Sequence, residues 1–360
     1  MKSNRTRLVA LVIVVALAVA IWHERHRIHF DWHVFGQQLR MADWRRIAIA
    51  LACIYAGYLV RSVRWAWLIR HKKKTPLLSL LGTQVMGFTA VALIGRVADL
   101  VRPYLVAKKT GLPLSEQMAV YVVERLFDAG SMALITSSAI LLAPPGALPH
   151  PEVLKRAALF GLLLTGAGGL FLLAVRLWGE GVAHFSNRAF GLLSRRAGEA
   201  VKDKIQAFHA GLDTIRTPGD FAAVAACSLG MWMLIAVSYL ETMLAFTASP
   251  ELASISPAKG VLMMVVSGGA SVIQLPIVGW FTQIGLVAGA ISKFFGVAPE
   301  AATGCAATLL LVTFLAIVPV GLIWSRFEHI SLKQVTAESE HAGEELVHHH
   351  GSVGEKATSG

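Results

Sequence analysis

The chain has 360 residues, of which 55% are hydrophobic and only 15% charged, and its mean hydropathy is +0.60. This apolar content exceeds what one soluble core could bury, which excludes an ordinary soluble domain. The formal net charge is +11. The basic residues lie mainly between hydrophobic runs, so they favour an anionic membrane surface as partner and not nucleic acid.

Six hydrophobic runs are long enough to cross the apolar part of a bilayer in helical form. They lie at about residues 8–22, 46–69, 116–142, 153–178, 220–247 and 300–324. The first run follows a basic start and ends in small residues that would allow signal-peptide cleavage. We expect it to be a retained, orienting helix, because the rest of the chain is membrane-embedded.

Two further apolar segments, at about 77–101 and 260–296, are interrupted by Gly, Pro or charged residues. If the first of them crossed the membrane, Lys108 and Lys109 would lie on the outer side, against the usual distribution of basic residues. We therefore predict two re-entrant hairpins. The predicted fold is an all-α, polytopic membrane helix bundle with about six spanning helices and two re-entrant or broken segments.

The predicted membrane domain covers residues 1–326 and has two halves, at about 1–178 and 179–326. Each half contains one interrupted element, a pattern that points to a binding site near the bilayer midplane. A polar tail at 327–360 is expected to be disordered.

Basic residues after the second run predict a multi-pass protein of the plasma (inner) membrane with cytoplasmic amino and carboxyl termini. One loop disagrees, since residues 23–46 carry five arginines and fall on the outer side in this topology.

Charged residues inside apolar sequence are the main functional signal. Each costs about 2.5–3.5 kcal/mol near the centre of a membrane helix, so a group of them must be paired or face a wet cavity. Helical spacing of three residues allows ion pairs within each motif. The six charges, three of each sign, are Arg96, Asp99, Arg102, Glu124, Arg125 and Asp128. An internal salt-bridge network that only fixes the hairpin is the alternative to a cavity lining.

Arg61 and Arg64 add two positive charges with no acidic residue nearby in sequence. The phosphate of an anionic lipid head group could neutralise them, because guanidinium donors fit phosphate oxygens. Alternatively, both side chains extend to the membrane interface beside Trp65 and Trp67.

The second interrupted segment contains Pro276, Gly279 and Gln283. A proline and a glycine free backbone groups that must find partners in protein or water, which lining a cavity would provide. Tight helix packing explains the small residues equally well. Four histidines upstream, His23, His26, His29 and His33, could share one helical face, but their basic surroundings argue against a metal site.

The motifs GRVADLVRP at 95–103 and ERLFD at 124–128, with Val63-Arg64-Trp65, resemble the lysylphosphatidylglycerol synthase transmembrane region family, also called flippase-like membrane proteins. The resemblance covers most of residues 8–325. It implies that the six charged residues occupy the family's motif positions. Gln283 stands where family members commonly carry an acid. The resemblance covers the flippase part alone, so it implies no soluble synthase domain and no lysyl transfer.

These features favour a lipid transporter that binds an anionic phospholipid or a polyprenyl-linked lipid in an intramembrane polar cavity, without metal, cofactor or catalytic residues. One alternative is a non-transporting scaffold that binds a lipid-modifying enzyme through the basic loop at 179–218. Another is an intramembrane enzyme, since Glu124 and Asp128 have a spacing that suits a general acid and base. The oligomeric state stays open.

Overall fold

A computed structural model describes residues 30–191, 215, 217–270, 278–339 and 341 of the chain. These residues form helices and connecting turns, with no strand among them, which confirms the all-α membrane bundle. The helices are α1 (Trp32–Arg40), α2 (Trp44–Ile69), α3 (Leu77–Ile94), α4 (Val101–Thr110), α5 (Leu114–Leu141), α6 (Pro151–Gly191), α7 (Pro218–Leu244), α8 (Pro250–Ala253), α9 (Pro257–Ala270), α10 (Val278–Phe295), α11 (Pro299–Leu310), α12 (Ile317–Phe327) and α13 (332–339).

Five helical stretches of the described chain are long and apolar enough to cross a membrane. They are Trp44–Ile69, Leu77–Ile94, Pro151–Phe171, Pro218–Leu244 and Pro299–Phe327. In the last of these, α11 continues into α12 through a π-helical turn at Leu311–Leu315. The predicted run at 116–142 forms α5, a 28-residue helix that carries four charged side chains. The run at 8–22 lies outside the described residues.

The first interrupted segment folds as a helical hairpin. Helix α3 ends at Gly95, whose φ of 98° is left-handed and easily adopted only by glycine. A short 3₁₀ helix, Arg96–Leu100, then leads into α4. The Lys109 amine at the end of α4 lies 3.4 Å from the Ser79 carbonyl at the start of α3, so the chain returns to the side from which it came. The return helix extends to Thr110, beyond the predicted boundary.

The second interrupted segment brings two helices together in the same way. Helices α9 and α10 pack side by side, and the Gln283 amide donates a hydrogen bond of 2.9 Å to the Ser267 hydroxyl. The connecting residues 271–277, with the predicted site residue Pro276, lie outside the described part of the chain. Both hairpins pack against α5, which places the interrupted elements on either side of this helix.

Helices α2 and α7 form the most extensive helix pair of the bundle. Helix α7 begins with a capping box, in which the Thr217 hydroxyl and the Asp220 carboxylate each accept a backbone N–H of the other residue. Asp220 also bonds to Arg70 at the end of α2, so this end of the pair is fixed by charge. The pair provides the framework on which α5 is held.

The tail was expected to be disordered, but residues 328–339 form a turn and the short helix α13. Leu332 and Val335 of α13 are buried against α3 and α4, and Glu338 accepts a hydrogen bond of 2.9 Å from the Tyr104 hydroxyl. The apolar pair is three residues apart, which puts both side chains on one helical face. Most of the remaining tail lies outside the described residues.

Candidate functional site

Glu124 is the centre of the buried charge cluster. The side chain lies in the middle of α5 and is fully buried. Its Oε1 atom lies 2.6 Å from Arg64 Nη2, 3.1 Å from Arg102 Nη1, 3.2 Å from Arg61 Nη1 and 3.2 Å from Arg125 Nη2. These guanidinium groups come from α2, α4 and α5, so one carboxylate joins three helices.

Asp128, one turn further along α5, contacts three of these four arginines. Its Oδ1 lies 2.6 Å from Arg64 Nη1, and its Oδ2 lies 3.0 Å from Arg125 Nη2 and 3.9 Å from Arg61 Nη1. Arg64 Nη1 also donates to the Ser228 hydroxyl of α7 at 2.6 Å. Arg64 therefore bridges both acids and a fourth helix, while its side chain is only 1% exposed.

Arg102 lies deep in the hairpin beneath three aromatic rings. The guanidinium carbon is 4.6 Å from the ring centre of Phe88, 5.2 Å from that of Tyr121 and 5.8 Å from that of Trp65. Such ring faces stabilise a cation where water is absent. The aliphatic stem passes over Gly87, where a Cβ atom would overlap the Arg102 side chain.

The cluster carries more donors than acceptors. Arg102 Nη1 bonds to Glu124 and to Gln84 Oε1 at 3.1 Å, but Nε and Nη2 of Arg102 and Nε of Arg125 meet no acceptor in the described structure. Buried donors are normally satisfied. Four guanidinium groups face three carboxylates when Asp99 is included, which leaves one positive charge in excess among the described side chains.

These contacts change the pairing that sequence spacing suggests. The pair Arg125–Asp128 forms as expected, whereas Arg102 contacts Glu124 on a different helix. Arg61 and Arg64 are buried and paired with protein carboxylates, which argues against extension of both side chains to an interface. The side chain of Arg96 lies outside the described part.

A cavity of about 240 Å³ opens beside the cluster. Arg61, Arg125 and Asp99 line one part of it, and Ser267 and Gln283 of the second hairpin line another. The cavity therefore connects the charged cluster of the first half with the interrupted element of the second half. Gly279, also predicted for this site, is buried one turn before Gln283 and accepts a hydrogen bond from Thr282 through its carbonyl.

Several residues of the site have no clear signal in the sequence. Helix α7 has the sequence of an uninterrupted apolar helix, and it carries three residues of the site, Ser228, Trp232 and Tyr239. Their common face is visible only as a spacing of four and seven residues, and many buried helices show the same spacing. Gln84 is similar, because a single amide in an apolar run does not indicate its partner.

The sequence model of the lysylphosphatidylglycerol synthase transmembrane region matches residues 7–321 of the chain, which is most of its length. The chain belongs to this family. It is thus a multi-pass integral membrane protein, and family membership is compatible with a role related to membrane lipids.

One relative of the chain is described as a UPF0104 membrane protein from Methanothermobacter thermautotrophicus. The two sequences are 29% identical over 157 residues, which cover 43% of this chain and 42% of the relative. The matched region is therefore less than half of either protein. No solved structure matches the chain.

Among the described residues, no group of three or more His, Cys, Asp or Glu side chains is arranged to bind a metal ion. Of the four histidines considered above, only His33 lies within the described part, where it is exposed on α1. The proposed docking loop at 179–218 falls largely outside it, because residues 192–214 and 216 are not described.

Proposed function

We propose that this family member binds the anionic head group of a membrane lipid in the cavity beside Glu124 and moves that lipid between the two leaflets. The observation that carries the proposal is the excess of arginine at the cavity wall. Arg61 and Arg125 belong both to the buried ion-pair network and to the cavity lining. A phosphate there would meet planar donors that suit its oxygens and would offset the excess positive charge.

The acidic residues are proposed to position the arginines and to release them. Glu124 and Asp128 share the guanidinium groups of Arg61, Arg64 and Arg125, so an arriving phosphate can replace one carboxylate as the partner of Arg61 or Arg125 without leaving a charge unpaired. The empty and the lipid-bound states would therefore differ in which anion, carboxylate or phosphate, pairs with Arg61 or Arg125. The pairing of both carboxylates with arginines also favours binding over catalysis. A general acid or base must exchange a proton with the substrate, and these two carboxylates are engaged by cations instead.

The proposed setting is the plasma (inner) membrane with both termini in the cytoplasm. The Lys73 amine at the end of α2 donates to the Thr110 carbonyl at the end of α4, so two basic segments lie at the same end of the bundle. Concentration of Lys and Arg at one end is typical of the cytoplasmic side. Labelling of Lys73→Cys and Pro149→Cys variants from each side of the membrane tests this orientation.

The transport proposal can be tested in proteoliposomes that contain a fluorescent phosphatidylglycerol. Quenching of the outer leaflet with dithionite reports how fast the protected lipid becomes accessible. We expect the unmodified protein to accelerate this exchange and the double variant Arg61→Gln, Arg125→Gln to lose at least about tenfold of it, the effect of 1.4 kcal/mol. The exposed Arg45→Gln is a matched control and should retain full activity.

The variants must first be shown to fold, by monodisperse size-exclusion profiles and unchanged helical circular dichroism. If the folded double variant exchanges phosphatidylglycerol as fast as the unmodified protein, the arginine wall does not handle the head group and the proposal is wrong.

A further inference from the structure

The cavity has a second polar wall that carries no charge. Gln283 donates to the Ser267 hydroxyl at 2.9 Å, and the polar side chains of Tyr239 and Thr313 lie on the same wall. These four side chains and Trp232 all line the cavity. They come from α7, the second hairpin and the π-helical turn, so the neutral wall is assembled from elements distinct from those of the arginine wall.

Two polar atoms of this wall lack partners in the described structure. Gln283 is only 5% exposed, and its Oε1 accepts no hydrogen bond. The Trp232 Nε1–H donates none. An unmatched acceptor and an unmatched donor on the lining of one cavity indicate a ligand that can both donate and accept. A hydroxyl group does both.

A cation is an unfavourable occupant of this wall, because none of its described side chains is acidic. The chain contains no Asp or Glu from Leu252 to Pro299, a range that covers the whole second hairpin and its connection. An ammonium group bound here would be removed from water with no carboxylate to compensate it, which is unfavourable. Of the described lining residues, only Asp99 is acidic, and it lies on the arginine wall near Arg125.

We propose that the cavity binds a head group in two parts: a phosphate at Arg61 and Arg125, and an uncharged, hydroxyl-bearing group at Trp232 and Gln283. This inference rests on the proposed function and specifies its substrate class. The cavity volume of about 240 Å³ leaves room for several water molecules and thus for a small polar head group. The polyol can be the glycerol of a phospholipid or the sugar of a polyprenyl phosphate.

The test uses the purified full-length chain and native mass spectrometry with four titrated lipids. Phosphatidylglycerol and a polyprenyl phosphate hexose carry phosphate and hydroxyls, phosphatidic acid carries phosphate alone, and phosphatidylethanolamine carries an ammonium group. We expect at least one hydroxylated lipid to bind about tenfold more tightly than the other two, as one or two added hydrogen bonds would give. Which hydroxylated lipid binds more tightly assigns the source of the polyol.

Variants of the neutral wall separate the two parts of the site. Trp232→Phe and Gln283→Leu should lower affinity for the preferred hydroxylated lipid to that of phosphatidic acid and leave phosphatidic acid unchanged. Retained binding of phosphatidic acid also shows that these variants fold. The exposed residues Trp44 and Gln37 provide matched controls as Trp44→Phe and Gln37→Leu, which should change nothing.

The possible failures are distinguishable. If the neutral-wall variants weaken all phosphate lipids equally, or if phosphatidylethanolamine binds as tightly as the hydroxylated lipids, the two-part site is overturned while the arginine wall can still bind phosphate. If Arg125→Gln leaves every lipid unaffected, the proposed function itself fails.

Discussion

Replacement of Glu124 by glutamine should destabilise the protein far more than the same change at a neighbouring surface position. Glu124→Gln keeps the side-chain shape but leaves four guanidinium groups close to one another with one negative charge fewer between them. Removal of one partner from a buried ion pair costs about 3–5 kcal/mol, because the other charge stays buried. Here the remaining charges can turn only partly to Asp128, so we expect a loss within that range.

The matched control lies two turns earlier on the same helix. Glu116 forms an ion pair of 2.7 Å with Lys72, but the two side chains are 33% and 38% exposed. Pairs in such surroundings contribute about 0–1 kcal/mol. Glu116→Gln should therefore lower the free energy of unfolding by less than about 1 kcal/mol.

Both variants can be measured by unfolding in mixed micelles with increasing SDS, followed by circular dichroism and tryptophan fluorescence. The comparison within one helix removes differences of helix propensity and insertion. A Glu124→Gln protein that unfolds within about 1 kcal/mol of the unmodified protein, like the control, would refute the view that the arginines depend on this carboxylate.

Two other predictions concern the packing around this cluster. Gly87→Ala should cost about 1–3 kcal/mol of unfolding free energy and displace the Arg102 stem, whereas Gly230→Ala, with open space around its Cβ, should be neutral or slightly stabilising; SDS unfolding compares them. The hydrogen bond from Tyr104 holds the pKa of Glu338 below its usual range, so this contact stabilises α13 above the ordinary glutamate pKa and is lost as the pH falls through the lowered value. The protection factors of the amides at residues 332–339, which correct for slower intrinsic exchange in acid, should therefore fall on acidification, and they should fall at a higher pH in Tyr104→Phe. An unchanged midpoint would show that this bond does not hold the helix.

Sequence identified the charged residues of the site but not their partners. Arg102, Glu124 and Asp128 are conspicuous because charge inside apolar sequence requires an explanation. The partner of Arg64 lies 60 residues further along the chain, and spacing rules within one helix cannot indicate such a contact. That contact depends on how α2 packs against α5, which is a property of the assembled bundle.

The interruption of two apolar segments was predictable for a simple physical reason. Gly95 and the proline and glycine near residue 276 interrupt apolar runs, and such interruptions are rarely neutral in a membrane segment. The expectation of disorder was wrong for residues 328–339. The tail is polar on average, and this average does not show that Leu332 and Val335 can pack together on the bundle. Two such residues bury little area alone, and only the surface offered by α3 and α4 makes the short helix stable.

The sharing of Glu124 among arginines from three helices also has a consequence for biosynthesis. Helix α5 carries Glu124, Arg125 and Asp128 within five residues, and each would be costly to insert into a bilayer alone. Because Arg61 and Arg64 precede them in the chain, their helix is made first and can receive α5 as it leaves the ribosome. We therefore expect partitioning of α5 into lipid to depend on its docking on α2, and deletion of the earlier helix should leave the later one unable to enter the membrane.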